Sequence, residues 1–309
     1  MGDQQQNTPV LIIAGPTCVG KTSLSLQLAH KLDGEIISAD SRQIYRFMDV
    51  GTAKPLPVER NRVRHHLVDE LDPGTTYSAG EFARRAEILI DEISSNGHIP
   101  IVVGGSTLYL HALRNGLAKT PPVDRDIRSA LSSKLENDGL QSLTEELKRI
   151  DPLIYSKIDR NNPRRIVRAL EVFHASGRPL SSIQLSNLEP KFKYIVIVLY
   201  RGRKELYDMI NERVNTMLTN GLLKEVQLLL DRGYDENTYP LKTIGYQEPL
   251  SYFKGVHSFE EMVALIKIHS RRYAKRQLTW FRRNPTNIWA CASISADSIL
   301  KSYIINLAT

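Results

Sequence analysis

Cysteine is nearly absent: Cys18 and Cys291 are the only two among 309 residues. A pair so far apart builds no disulfide framework and no zinc cluster, so a reducing compartment fits and a cytoplasmic location is expected. Long apolar runs are missing too, and none approaches the roughly 20 residues a membrane helix needs. Met1 to Gln6 is polar and has no apolar stretch, so no secretory leader is expected there. Neither an internal repeat nor a low-complexity tract occurs. What remains, 41% hydrophobic and 24% charged residues, reads as an ordinary globular protein of one large domain or two smaller ones.

A charge excess of either sign is also missing from residues 1–120, which carry 12 Lys+Arg against 13 Asp+Glu. Residues 121–309 carry 29 against 21, so the whole net charge of +7 arises there. A nucleic-acid surface would produce this asymmetry. A solvated, lysine-rich exterior would produce it equally.

The strongest local signal is Gly15-Pro16-Thr17-Cys18-Val19-Gly20-Lys21-Thr22, which fits G-x-x-x-x-G-K-[ST] at every fixed position. An apolar β-branched run, Val10 to Ala14, precedes it. A helical pattern, Leu24, Leu26, Leu28, Ala29 and Leu32, follows. Strand, glycine turn and helix are the context this motif requires. The glycines let the backbone fold around an anion, and the helix N-terminus adds its positive dipole end. Lys21 brings a full charge, and Thr22 can hold Mg²⁺. The chain therefore binds a phosphate or a pyrophosphate.

A second strand, Glu35 to Ala39, ends in Asp40-Ser41-Arg42-Gln43. An Asp in that place is commonly a turn or cap residue, yet open α/β sheets put their ligands at such strand ends. Residues 45–64 read as irregular, and His65 to Asp69 as a short strand. Adjacent histidines on a strand face opposite ways, which argues for structural roles rather than a shared metal. Ser78-Ala79-Gly80-Glu81 is a capping box opening a helix to about Ser95. A buried strand, Ile99 to Val103, runs into Gly104-Gly105-Ser106, so the acid that motor-type ATPases carry at this point is missing.

Lys119-Thr120-Pro121-Pro122 reads as a linker. Two short helices are expected over 124–150. A helix capped by Asn162-Pro163 carries Arg164 and Arg168 on one face, with Ile166, Val167 and Leu170 on the buried side. The sheet resumes at Tyr194 to Leu199, helices follow at about 204–219 and 222–232, and 287–290 is a last strand. The alternation predicts a P-loop NTPase-like, doubly wound parallel sheet over 1–118 and 193–309, with a helical insertion over 119–192. A late helix mixes Lys267, Arg271, Arg272, Lys275, Arg276, Arg282 and Arg283 with Tyr273, Trp280 and Phe281. Basic residues with interleaved aromatics suit single-stranded nucleic acid; an amphipathic surface helix gives the same pattern.

These motifs, with Gly51-Thr52-Ala53-Lys54-Pro55, His65-His66-Leu67, Ile244-Gly245-Tyr246 and Lys275 to Arg282, together resemble the tRNA dimethylallyltransferase (tRNA isopentenyl transferase) family of bacterial type. The resemblance spans nearly the whole chain, in order. It implies transfer of a dimethylallyl group from its diphosphate to N6 of the adenosine 3′ of the anticodon, with Mg²⁺. By resemblance, Gly15 to Thr22 holds the diphosphate, Thr17 and Lys21 take part in catalysis, and Asp40 is the general base. Contacts to tRNA fall to Asp40, Ser41, Arg42, Gln43, Ser106 and Arg128, and to Arg164, Arg165, Ile166, Val167 and Arg168 of the insertion. Lys242, Gly245, Tyr246 and Gln247 belong to the same set, as do Lys275, Arg276, Gln277, Thr279, Trp280 and Arg282. The chain departs from the family at Met209 and Asn215, where an arginine and an aspartate are usual; the diphosphate arginine is then Arg213 or Arg203. A monomer is expected. A small-molecule P-loop kinase of the shikimate or gluconate type shares the P-loop, the strand-two Asp and the glycine pair, but needs neither the basic insertion nor the Arg/aromatic helix.

Overall fold

A computed structural model describes residues 9–117, 123–184 and 190–307. The expected linker at Lys119 to Pro122 lies outside them. Six strands, β1 (Val10–Ala14), β2 (Gly34–Ala39), β3 (His65–His66), β4 (Ile99–Gly104), β5 (Tyr194–Tyr200) and β6 (Ile288–Cys291), pair in parallel in the order β3-β2-β4-β1-β5-β6. Strands β2 and β4 lie on one side of β1, and β5 and β6 on the other. That reversal opens a crevice at the carboxyl end of β1, where open α/β sheets bind ligands.

The central strands are apolar throughout because helices cover both faces of a parallel sheet. Every residue of β1 is buried. Leu11, Ile13, Ile197 and Leu199 pack with Leu24 and Leu28 of α1 (Lys21–Leu32), and with Leu206 and Ile210 of α9 (Arg203–Thr219). The capping box opens α3 (Ala79–Ser95) as its sequence requires: Ser78 accepts from the Glu81 N–H, and the Glu81 carboxylate accepts from the Ser78 N–H.

Two expectations are corrected and one helix is added. The strand at His65 pairs for two residues only, because Leu67 (φ 61) and Asp69 (φ 62) turn left-handed and leave the extended region. His65 Nδ1 meets the Val63 carbonyl and His66 Nε2 the Glu35 carboxylate, so the two rings share no partner. Within the stretch read as irregular, Pro57–Arg62 forms a short helix (α2), with Pro57 in its first turn. A last helix, Ala296–Leu307 (α13), packs Ile299 and Tyr303 into the sheet core and was not anticipated.

The chain divides into two compact units, residues 1–114 with 190–309, and residues 115–189. The second unit is helical. Its first run, α5 (Arg125–Ile150), breaks at Gly139 (φ 76, ψ 173), so it is two helices. Leu131, Leu143 and Leu147 pack there against Ile166, Ala169 and Leu170 of α7 (Pro163–Ser176). Asn162 caps α7 and Gly177 (φ 68) ends it in the left-handed conformation that glycine adopts without strain.

Candidate active site

The loop between β1 and α1 is shaped by what glycine permits. Gly15 has φ +147, and a Cβ there would sit 2.8 Å from the Leu199 carbonyl oxygen. Gly20 (φ +107) begins α1 with no side-chain cap, so the free N–H groups and dipole end of α1 face the loop. Cys18 (φ 64) takes a left-handed conformation that is costly for a residue with a Cβ. Lys21 folds back, and its Nζ donates to the carbonyls of Gly15 (3.1 Å) and Pro16 (2.7 Å). Enclosure by the loop lowers its pKa to about 8; Asp40 opposes that shift and Arg213 adds to it. Lys21, Asp40 and Arg213 therefore act on one space from three different elements.

Asp40 stands at the carboxyl end of β2. Its Oδ1 accepts from the N–H groups of Arg42 (2.9 Å) and Gln43 (3.4 Å), an Asx turn that fixes the carboxylate. Among the described residues nothing hydrogen-bonds Oδ2. Ser106 Oγ, buried at the end of β4, accepts from the Ser41 N–H at 3.0 Å. The glycine pair before it is sterically required. A Cβ on Gly104 would lie 2.2 Å from the Ala39 carbonyl oxygen, and one on Gly105 would lie 2.4 Å from Gln277 Nε2.

Gln277 sits on α12 (Phe259–Phe281) and is 2% exposed. Its Oε1 accepts from the Thr17 N–H (3.0 Å), and its Nε2 donates to the Gly105 carbonyl (2.7 Å). One amide thus ties the anion loop to the β4 turn. Tyr273, one helical turn earlier on the same face, meets the Ser106 hydroxyl and faces the charges of Asp40 and Arg42. Burial pushes its phenol up to about 12, so it stays neutral.

Thr22 and Arg213 border a cavity of about 580 Å³. Arg213 donates to the Thr52 carbonyl at 3.2 Å. Arg203 is elsewhere, over the Tyr207 ring at 5.4 Å. The Thr22 hydroxyl makes no hydrogen bond among the described residues, and no cluster of three or more His, Cys, Asp or Glu that could hold a metal ion occurs among them.

The loop at 49–55 is held by two charges. Glu225, on α10 (Leu222–Asp231), accepts from the N–H groups of Asp49 (2.7 Å), Val50 (2.7 Å) and Gly51 (3.0 Å), and from Tyr246 Oη (2.6 Å). Lys54, buried, pairs with Asp49 (2.5 Å) and Asp69 (2.8 Å) and donates to the Tyr45 carbonyl. Glu225 carries no motif in the sequence; only the folded loop reveals it.

Several residues expected to touch RNA are buried. Tyr246 is 0% exposed, with Gly51 packed on its ring, and Gln277 is committed to the two bonds above. Ile166 is fully buried and belongs to the core of the second unit. Their side chains build the surface rather than form it. Gly245 is buried as well, and its N–H donates to Glu248 (2.7 Å). Val167 is half-buried against the same core as Ile166, and Gln247 is tied to Glu248. Arg164, Arg165 and Arg168 are exposed on α7. The buried Glu171 orients Arg128 (3.0 Å) and Arg168 (3.1 Å). Ser41, Arg42 and Gln43 follow Asp40 at the crevice; Arg42 lies over the Tyr239 ring at 4.8 Å, and Gln43 is held by Ser38 and the Thr52 carbonyl. Lys242, Lys275, Arg276, Thr279 and Arg282 are exposed, and Trp280 stands half-buried against His111.

The family model described as IPP transferase matches residues 43–284. A tRNA dimethylallyltransferase of Salinibacter ruber is 46% identical over 293 residues, covering 94% of this chain and 90% of that protein. One from Acetivibrio thermocellus is 42% identical over 305 residues, 97% of each chain. Among solved structures, a tRNA isopentenylpyrophosphate transferase from Bacillus halodurans superposes with TM-score 0.71 at 38% identity, covering 98% of this chain and 96% of that one. A eukaryotic dimethylallyltransferase acting on tRNA gives 0.79 at 29% identity, covering 98% and 78%. No helix among the described residues is long and apolar enough to cross a membrane.

Proposed function

This chain belongs to the IPP transferase family, and from that we infer that it is a tRNA dimethylallyltransferase, which prenylates tRNA with dimethylallyl diphosphate. The target is N6 of the adenosine 3′ of the anticodon. One observation carries the reading: the anion loop and the Asp40 turn are tied together at the carboxyl ends of β1, β2 and β4, through Gln277 between Thr17 and Gly105 and through Ser106 to the Ser41 N–H.

The chemistry follows from those two groups. The C1–O bond of the allylic diphosphate breaks, and the diphosphate leaves with the electron pair. The N6–C1 bond forms, and Asp40 Oδ2 accepts the N6 proton. A neutral exocyclic amine is a weak nucleophile, so a carboxylate placed to take its proton speeds attack by about 10² or more. The loop N–H groups, Lys21 and Arg213 stabilise the charge that builds on the leaving diphosphate. Thr22 would hold Mg²⁺, which when bound neutralises part of that charge. Thr17 presents its hydroxyl at the loop, on a backbone that Gln277 fixes. The adenine must leave its stack to enter, and the half-buried Tyr273 stands beside Ser106 and Asp40.

Arg164, Arg165, Arg168 and Arg128 of the insertion grip the anticodon stem through its phosphates, which position the RNA without reading its sequence. Lys275, Arg276, Thr279, Trp280 and Arg282 meet the unstacked loop near the reacting base. The enzyme works as a monomer in the cytoplasm, in keeping with its two free cysteines.

The rival is a P-loop kinase. Competition binding against labelled pyrophosphate separates them: dimethylallyl diphosphate displaces it more strongly than ATP. Tighter binding of ATP, consumed in proportion to product, would make the chain a kinase.

A further inference from the structure

A cleft of about 260 Å³ lies between the start of α9 and the end of α12, lined by Arg201, Arg203, Lys275 and Arg282 over an apolar floor of Leu206 and Leu278. A second cavity of about 290 Å³ shares Arg201, Leu278 and Arg282 with it and ends on Tyr200 and Trp289. The two form one groove beside the carboxyl end of β5, on the opposite side of β1 from Asp40. Four cations line it. Among the described residues one carboxylate answers them, Glu205, which pairs with Arg201. Among the described residues, Arg203, Lys275 and Arg282 have no acidic partner. Their mutual repulsion is relieved when an anion lies between them.

The groove is built rather than incidental. Arg201 Nε donates to the Val19 carbonyl of the anion loop at 3.1 Å, which fixes one wall. Arg203 lies over the Tyr207 ring, whose other cation is Arg271 (5.9 Å), itself bound to Asn211. At the far end Tyr200, 42% exposed, meets Trp289 edge-on, with ring centroids 6.2 Å apart. Cations spaced along a groove that ends on the exposed Tyr200 ring and the half-buried Trp289 ring match the backbone-and-base pattern of an unpaired strand. A duplex offers phosphates but no free base face, so it would leave the aromatic end without a partner.

We propose that this groove holds a single-stranded RNA segment, with phosphates on Arg203, Lys275 and Arg282 and one unstacked base against Trp289 and Tyr200. The proposal rests on the reading of the chain as a tRNA-modifying enzyme. It places nucleotides flanking the reacting adenosine on the side of the anion loop away from Asp40.

The test is RNA binding by the full chain, followed by fluorescence anisotropy over a salt series. Two RNAs are compared: an anticodon stem-loop, and the same stem as a blunt-ended two-strand duplex without unpaired bases. Arg203→Ala weakens stem-loop binding roughly fivefold or more and lowers the salt slope by about 0.7, the single-strand value per lost phosphate. Binding of the duplex is unchanged, Arg203→Lys restores the slope, and Trp289→Leu weakens the stem-loop about fivefold or more with little change of slope. Arg203 is exposed, and a thermal melt of each variant verifies its fold. Unchanged affinity and slope in Arg203→Ala overturns the groove, and equal loss for both RNAs makes it a duplex site instead. In either case prenyl transfer by the wild-type chain persists; if that is absent too, the functional reading itself has failed.

Discussion

Replacing Gln277 by alanine tests whether one buried amide positions the diphosphate loop. The substitution removes two hydrogen bonds, of 3.0 Å to the Thr17 N–H and 2.7 Å to the Gly105 carbonyl, in a place only 2% exposed. Each stranded buried group costs about 1–3 kcal/mol. Partial hydration of the space left behind brings the pair to roughly 2–4 kcal/mol. The loop must be rebuilt each time a diphosphate binds, so the loss falls on kcat/KM for the allylic diphosphate. At about 1.4 kcal/mol per tenfold, it amounts to about 30- to 1000-fold. Steady-state kinetics at saturating tRNA measures it, with tRNA affinity expected within threefold of wild type and a thermal melt to verify folding. Gln277→Glu keeps the acceptor for Thr17 but sets a carboxylate against the Gly105 carbonyl and beside the diphosphate, so it should be no better than alanine. A Gln277→Ala enzyme with kcat/KM within threefold of wild type would refute the reasoning.

Asp40→Asn should lower turnover by about 10² or more while tRNA binding stays within a few-fold; near-normal turnover removes Asp40 from the chemistry. Because burial holds the free Lys21 ammonium near 8, its charge is present below that pH and lost above it. Diphosphate binding should therefore weaken above about pH 8 with uptake of one proton, measurable by calorimetry in two buffers of different ionisation heat and absent in Lys21→Met. The same lowered pKa means that the free protein, unlike its complex, gains stability as pH rises from about 8 toward the unfolded value near 10.5. Arg164→Ala should weaken binding of every tRNA alike and reduce the salt slope by about one unit; a salt titration identical to wild type would take the insertion out of RNA binding.

The sequence reading placed most of the sheet because its signals were local. Val10 to Ala14 and Tyr194 to Leu199 are apolar runs, and Glu35 to Ala39 carries its Ile pair directly into the turn residues that begin at Asp40; parallel strands need little more. The P-loop was legible for a similar reason: Gly15 and Gly20 are dictated by backbone geometry within eight residues of chain. What stayed hidden depends on distant pairs. Gln277 lies 260 residues from Thr17, and Glu225 lies 176 from Asp49. No periodicity marks such partners. The exposed-or-buried choice was the other gap. Tyr246 and Gln277 sit within motifs expected to contact RNA, and their burial shows only in the packing. The left-handed Leu67 and Asp69, which cut β3 short, are likewise set by the loop that Lys54 holds, not by their own propensity.

The central claim is that the loop of Gly15 to Thr22 and the Asp40 carboxylate together transfer an allylic group to tRNA without a nucleoside triphosphate. Single-turnover reaction of the protein with labelled dimethylallyl diphosphate, Mg²⁺ and unmodified tRNA, with no ATP present, tests it directly. The account predicts one labelled group on N6 of one anticodon-loop adenosine for each diphosphate released, as read by nucleoside mass spectrometry. Product that forms only when ATP is added and hydrolysed, or label that stays off the tRNA altogether, would contradict it.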